Sequence, residues 1–474
     1  MMAQSSTDQP AISSRIFRTY DIRGKAGEDL DREVARLVAR AFGAYLRDER
    51  GTRHVVIGHD LRPSSAELTR GLCQGFYEAG CHVLDIGLVA TPVLYFQAAR
   101  LGAGGVMVTA SHLGKAYNGL KLSVGCEALY GDDIKALYRR IVESRIPGAT
   151  SDAEACCQPA EGVDALYIGQ LVAGFWPSGR RLRVVVDAGN GMAGPYAPRL
   201  LTLMGHDVVP LYCDLDSDFP NHHPNPEKEE NVRDLQAKVR ETGADLGVAF
   251  DGDADRLGVV DEQGQLVSAD RLLAWLAQPV LQKHPGAAVV ADVLSSQALF
   301  DAVQRAGGRP IMWASGYARV RAKMRDENAI LGGETSGHMF FADRYVGFDD
   351  GIYAAGRVVE MLSLTDEPLS AQIAALPRMY ATPEYRPYCP DGKKAAVIET
   401  VRKAFAGLYP IVDVDGVRVV FEDGWGLLRA SGTEEALSLR FEGRTEEAAH
   451  SYRDRMLKAL RDAYPELEEP QPGG

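Results

Sequence analysis

Three aspartates, Asp251, Asp253 and Asp255, stand on alternate positions of the segment DLGVAFDGDADRLGVVDE, residues 245–262. Crowded into one turn, their carboxylates repel one another, and a hard divalent cation relieves the repulsion by taking their oxygens as ligands. Magnesium, its shell completed by a substrate phosphate, is the ion this pattern suits. With Glu262 the spacing also matches positions 1, 3, 5 and 12 of an EF-hand loop. Arg256 stands where that loop needs glycine, however, and the flanks DLGVAF and RLGVVD read as strands, not helices. A solvated acidic turn is the other alternative.

Three further segments carry usable chemistry. In GGVMVTASH, residues 104–112, an apolar run delivers Ser111 and His112 to a loop at a strand's C-terminal end, and the loop runs on to Lys121. Open α/β sheets bind ligands at such ends, so Ser111 is a candidate nucleophile; the alternative is a turn serine bonded to its own backbone. The surroundings lack GxSxG and any announced hydrolase triad. In GGETSGHMFF, residues 332–341, glycines frame Glu334, Ser336 and His338. Such a loop allows close approach to sugar hydroxyls, and His338 suits proton transfer; a glycine-rich connection with a structural histidine is the alternative. In LLRASGTEEALSLRFEG, residues 427–443, Arg429, Ser431, Gly432 and Thr433 form a compact candidate phosphate cradle. A hairpin with a surface salt bridge would also account for it. A serine, a metal loop and a phosphate cradle in separate domains predict one interdomain cleft.

The elements that position these loops are legible as a repeated design. HVVIGHDLRPSS from His54, RVVVDAGNGMAG from Arg183 and AAVVADVLSSQ from Ala287 each pair an apolar run with a polar turn and a helical pattern. Such runs are strands buried on both faces of a mainly parallel sheet. The last hundred residues instead show short strands, Val417 to Phe421, Gly426 to Arg429 and Ala436 to Phe441, then a helix from Thr445 to about Tyr464. The predicted fold is therefore three similar α/β domains with mixed or parallel sheets, residues 11–160, 161–260 and 261–376, then an α+β domain, residues 377–474, around a central cleft.

Composition narrows the partners. The chain has 474 residues, 46% hydrophobic and 25% charged, with a formal net charge of -13, so nucleic acid and anionic membranes are not expected partners. The seven cysteines show no CxxC metal spacing, as expected of reduced thiols, and zinc is not expected. The N-terminus lacks a signal-peptide pattern, and LLAWLAQPVL is too short and too closely flanked by Asp270 and Arg271 to span a bilayer. A cytoplasmic location follows as the expectation. Residues up to about Ser14 and the tail PELEEPQPGG read as frayed ends.

Taken in order, the four segments resemble the α-D-phosphohexomutase family, specifically its bacterial phosphomannomutase/phosphoglucomutase branch. FRTYDIRG (17–24), DAGNGMAG (187–194), FPNHHPNPEKEENV (219–232) and GFDDGIYAAGR (347–357) extend the resemblance over nearly the whole chain. It implies that Ser111 is a phosphoserine and that Asp251, Asp253 and Asp255, with a Ser111 phosphoryl oxygen, hold magnesium. It implies that Glu334, Thr335, Ser336, Gly337 and His338 read the sugar and that Arg429, Ser431, Gly432 and Thr433 hold the phosphate that is not transferred. Tyr20, Arg23 and Lys121 would surround the reacting centre, Tyr20, His112 and Tyr317 would contact the substrate, and Lys121 and His338 are both open as general base. The implied reaction interconverts hexose 6-phosphate and hexose 1-phosphate, of mannose or glucose, through a hexose 1,6-bisphosphate that also serves as activator. The partners would be phosphorylated hexoses, and the chain a monomer.

Five positions depart from the branch. Leu113-Gly114 replaces Asn-Pro beside the serine, Leu294 replaces Lys, Tyr317 replaces His, and Gly432 replaces Asn. A weakly active or non-catalytic phosphosugar-binding relative is therefore an alternative. Phosphoglucosamine mutase is another, set lower because Thr335 stands where that branch carries Gln; an aspartate-nucleophile phosphatase would need neither the serine loop nor the cradle.

Overall fold

Valine-rich runs with no polar face form the inner strands of three sheets, because only burial on both sides satisfies them. The computed structural model describes residues 12–143, 156–177, 179–432 and 435–467; Thr433 of the expected cradle lies outside them. The first sheet carries His82–Leu88, His54–His59, Gly104–Val108 and Tyr117–Val124 side by side, with Cys156–Pro159 and Ile22–Lys25 at its edges. The second carries Asp207–Leu211, Arg183–Asp187, Leu246–Phe250 and Leu257–Asp261, with Leu266–Val267 beyond. The third carries Arg309–Trp313, Ala288–Asp292, Leu331–Gly333 and Met339–Phe341.

One topology is used three times. In each sheet the second, first and third strands of the unit run parallel, and the fourth folds back antiparallel on the third. The loops made by those three reversals span 109–116, 251–256 and 334–338, and they contain the serine, the aspartates and the glutamate–histidine segment. The expected repetition is thus present, and it places three chemically different loops at equivalent points.

The fourth sheet, Tyr380–Ala381, Leu437–Gly443, Gly424–Ala430, Val417–Val420 and Ile411–Val412, is antiparallel throughout. Its strands differ from the sequence expectation at the hairpin. The strand ends at Val420 and the next starts at Gly424, with the Phe421 N–H donating to the Gly424 carbonyl at 2.9 Å across the hairpin. The last helix, Glu446–Ala463, begins where the Thr445 side chain caps the Ala448 N–H. LLAWLAQPVL lies in the helix Ala269–Lys283, and among the described residues no helix is long and apolar enough to cross a membrane.

A continuous apolar core joins the first three units, from Val56 and Val93 through Val184 and Val248 to Val289 and Phe341. The fourth has its own core around Val417, Leu439 and Leu460. It meets the third through Trp425 and Leu427 packed on Val293 and Leu294. The buried Arg418 reinforces that seam: it lies 3.8 Å from the Trp425 ring and donates to the carbonyls of Val293 and Ser295. Leu294 therefore serves domain packing at a position where a lysine would be desolvated.

Candidate active site

Ser111 follows Gly104–Val108 at the mouth of the first reversal, with φ 53. A non-glycine residue in the left-handed region needs surrounding structure to hold it. Arg62, with a fully buried side chain, supplies much of that support. Its guanidinium donates to the carbonyls of Ser111 (2.8 Å), Leu113 (2.6 Å), Gly114 (2.9 Å) and Tyr117 (3.2 Å), and is itself held by Asp60 at 2.9 Å. Leu113-Gly114 thus has its carbonyls tied from outside, which offsets the missing rigid turn. The Ser111 N–H donates to Thr109 Oγ1 at 2.9 Å.

The Ser111 hydroxyl donates to Asp251 Oδ2 at 2.7 Å, and His112 Nδ1 stands 3.2 Å from the same Oγ. Burial, reinforced by the charges of Arg256 and Arg23, holds the His112 imidazole well below its usual range, leaving it neutral. The two loops touch backbone to backbone: a Cβ on Gly252 would come 2.5 Å from the Ser111 carbonyl oxygen. Only glycine allows that approach.

Asp251, Asp253 and Asp255 are fully buried, and one oxygen of each lies within 4.8 Å of the others. The strands Leu246–Phe250 and Leu257–Asp261 flank them, which removes the EF-hand reading. Asp251 Oδ1 accepts from the N–H groups of Asp255 and Arg256, closing the turn. Thr91 Oγ1 donates to Asp253 Oδ2 at 2.6 Å. Lys121 Nζ reaches Asp253 Oδ2 at 2.7 Å and Asp255 Oδ2 at 2.5 Å.

Burial and its neighbouring carboxylates push Asp251 well above the usual carboxyl range. Asp253, despite equal burial, is pulled below it by the Lys121 ammonium. Among the described residues, Asp253 Oδ1 and Asp255 Oδ1 are buried without a hydrogen-bond partner. Three converging carboxylates with two unspent oxygens fit a magnesium ion.

The third loop meets the second along an Arg256–His338 bridge, and the Leu257 N–H donates to the Gly337 carbonyl at 3.0 Å. Gly337 has φ 94, and a Cβ there would come 2.8 Å from the Leu257 carbonyl oxygen. His338 experiences opposite demands. Arg256 Nε donates to its Nε2 at 3.2 Å, which requires a lone pair there. Burial also favours the neutral ring, but Asp255 at 3.8 Å and Asp349 at 3.4 Å face Nδ1 and together raise the imidazole above its usual value. The Arg256 contact assigns the neutral tautomer with Nδ1 protonated, and a second proton is acquired at the expense of that contact.

Glu334 Oε1 accepts the Gly316 N–H, and burial lifts its carboxyl to about 7, with His338 opposing and Asp292 reinforcing the shift. Thr335 Oγ1 donates to Asp292 Oδ2 at 3.2 Å, while Ser336 is half-buried. Tyr317 donates its hydroxyl to the Tyr20 carbonyl at 2.9 Å, and Tyr20 returns its own to the Ser315 carbonyl at 2.6 Å. The tyrosine that replaces histidine thus forms half of a clasp between first and third domains. Arg23 lies on Ile22–Lys25 opposite Gly119 and pairs with Asp21 at 2.5 Å.

The fourth-domain loop joins by side chains. Arg429 Nε is held by Asp415 at 2.8 Å, and Asp415 also accepts the Ser315 N–H at 3.3 Å. The Gly432 carbonyl accepts from Thr19 Oγ1 at 3.5 Å, and a Cβ at Gly432 would rest 3.5 Å from the Tyr20 ring. Lys394, 5% exposed, donates to the Ser431 carbonyl at 3.2 Å.

Apart from Ser336 and Ser431, the expected residues within the described regions lie along one connected set of contacts or electrostatic neighbours. Sequence reasoning missed Arg62, Thr91, Asp292, Asp349 and Asp415. Arg62, Asp292 and Asp349 stood in stretches already singled out, HVVIGHDLRPSS, AAVVADVLSSQ and GFDDGIYAAGR, but nothing in their spacing names their partners, which for Arg62 lie about fifty residues away.

The phosphoglucomutase/phosphomannomutase domain families match in order: alpha/beta/alpha domain I over residues 14–145, domain II over 167–264, domain III over 268–380 and the C-terminal domain over 386–459. A phosphomannomutase/phosphoglucomutase of Pseudomonas putida is 42% identical over 464 residues, covering 97% of this chain and 98% of the relative. A phosphoglucomutase of Neisseria meningitidis is 39% identical over 460 residues, covering 96% and 98%. The crystal structure of a phosphoglucomutase/phosphomannomutase family protein from Burkholderia thailandensis superposes with a TM-score of 0.89 at 40% identity, covering 97% of this chain and all of that one. Four domains matched in sequence and a shared fold over nearly the full length mean that this chain belongs to the phosphoglucomutase/phosphomannomutase family.

Proposed function

We propose that this protein is a phosphohexose mutase interconverting the 6- and 1-phosphates of mannose, glucose or both through phosphorylated Ser111. The observation that carries the reading is the 2.7 Å contact from the Ser111 hydroxyl to Asp251, which joins a held serine to a triad of buried carboxylates. Asp251, Asp253 and Asp255 would hold magnesium, which supplies positive charge opposite the transferring phosphoryl group.

In the first half-reaction the bond from phosphorus to Ser111 Oγ breaks as a bond to the sugar hydroxyl oxygen forms. The sugar's proton passes to a base. Lys121 is pinned protonated between Asp253 and Asp255, so the neutral tautomer of His338 is the better base in this arrangement. Glu334 and Ser336 would receive sugar hydroxyls in either orientation of the bisphosphate. Arg429, Ser431 and Gly432 would hold the remote phosphate, fixing the reacting end by binding energy spent at a distance. His112, Arg23 and Arg256 would face the phosphoryl oxygens. The four domains, which we place at residues 11–160, 161–260, 261–376 and 377–474, supply the whole site from one chain, as a monomeric enzyme requires.

The test is a coupled assay on mannose 1-phosphate and glucose 1-phosphate with magnesium and hexose 1,6-bisphosphate as activator, beside Ser111→Ala. Turnover in the parent and its loss in the variant support the mutase and rank the sugars. Absence of turnover in the parent sinks it in favour of a phosphosugar-binding relative, and phosphate release without isomerisation in favour of a phosphatase.

A further inference from the structure

Far from these loops in the sheet order, at the opposite edge of the first sheet, three side chains from three elements converge. Cys73 comes from the helix Ser65–Glu78, Asp85 from the strand His82–Leu88, and Cys157 from the edge strand Cys156–Pro159. Cys157 is the register partner of Val83, and Asp85 lies two residues along from Val83. Side chains alternate along a strand, so Cys157 and Asp85 share one face of the sheet. Val83 packs on that face with Leu68, Leu72 and Phe76 of the helix that also carries Cys73.

The two sulfurs and a carboxylate oxygen all lie within 4.8 Å of one another. Asp85 Oδ1 accepts the Gly87 N–H at 2.9 Å, which orients the carboxylate. Cys157 is exposed and gives access from solvent.

We propose that Cys73, Asp85 and Cys157 form a binding site for a soft or borderline divalent cation of the zinc class, with one coordination position left to water. A tetrahedral zinc with Zn–S bonds of about 2.3 Å places two sulfurs roughly 3.8 Å apart, within the span these atoms already occupy. The thiols bind as thiolates and release two protons, and the carboxylate brings the third anionic donor. The sequence concealed the site because its ligands are separated by a helix, a strand and a long connection, not by CxxC spacing.

The consequence is a staple at the exit of the first domain. Among the described residues Cys156–Pro159 pairs with one neighbouring strand, and the chain leaves it for the helix Val163–Gly174 of the second domain. A bound cation would hold this edge to the covering helix and raise the unfolding midpoint by mass action.

Cadmium is the probe, titrated into the full-length protein in excess magnesium, because its thiolate charge-transfer absorption reports sulfur ligation and not the carboxylates of the other site. The expected result is a band saturating at one equivalent, lost in Cys73→Ser and in Cys157→Ser, retained in Cys213→Ser, and displaced to about tenfold or higher cadmium concentration in Asp85→Asn. In the unaltered protein, cadmium or zinc should slow alkylation of Cys157, a readout that needs no variant. An absent band, a band that survives Cys73→Ser with Cys157→Ser, or peroxide-driven formation of a Cys73–Cys157 disulfide with no cadmium binding would each overturn the proposal.

Discussion

The three reversal loops and the fourth-domain loop are held in different ways. The first three occupy equivalent points of one repeated topology, share a continuous apolar core, and meet through backbone contacts at Gly252 and Gly337 that leave no room for a Cβ. The fourth belongs to an independent core and reaches the others through Asp415, Thr19 and Tyr20. Backbone contacts between buried loops fix positions closely, whereas side-chain contacts at a seam tolerate adjustment. The difference teaches a division of labour. In the proposed reaction the interlocked loops would suit bond making and breaking, and the side-chain-tethered one would suit holding the remote phosphate in either orientation of the bisphosphate.

That division predicts where each variant should show its effect. The largest is expected for Asp253→Asn, which removes a carboxylate from the triad: kcat should fall on the order of 10³-fold, with a higher magnesium requirement. Magnesium titration of the steady-state rate measures both, and an unchanged requirement would separate the triad from the metal.

Arg62→Lys comes next. It keeps the charge but loses the fork that gathers four carbonyls, so Ser111 should be misplaced and kcat should drop about 10²-fold. KM should change little, because Arg62 touches no expected sugar contact; a change confined to KM would argue against a positioning role.

At the fourth-domain loop, Arg429→Ala should act mainly on binding, raising KM about 10- to 100-fold with a smaller change in kcat. A kcat loss as large as that of Arg62→Lys would break the comparison, by making the cradle as integral to chemistry as the interlocked loops.

The smallest effect concerns pH. Buried Glu334 holds its proton up to about 7. In the proposed reaction its ionised form accepts sugar hydroxyls, so KM should improve by about tenfold between pH 6 and pH 8, and Glu334→Gln should flatten that limb. Stability carries the opposite sign. Between the usual carboxyl range and about pH 7 the folded chain keeps a proton that the unfolded chain has released, so this group lowers stability as pH rises through that window. Chemical denaturation across the window should show a shallower decline in Glu334→Gln.

Much of the molecule was legible in residue order because it rests on short-range regularity. Apolar runs and polar turns mark strand ends, an alternating acidic turn marks a cation site, and glycines framing a glutamate and a histidine mark a close-approach loop. What residue order could not supply is distance across the fold. The Ser111–Asp251 contact spans 140 positions, and Arg62 grips a loop about fifty residues away. Tyr317 and Leu294, departures from the family pattern in the sequence, became a clasp and a packing residue once the domains met. Cys73, Asp85 and Cys157 likewise converge only through register and helix placement. Local chemistry follows from neighbours along the chain, whose separation the backbone fixes within a turn or strand. Contacts between loops depend on how sheets pair and domains pack, and those are set by the sum of many weak burial terms that no single motif carries.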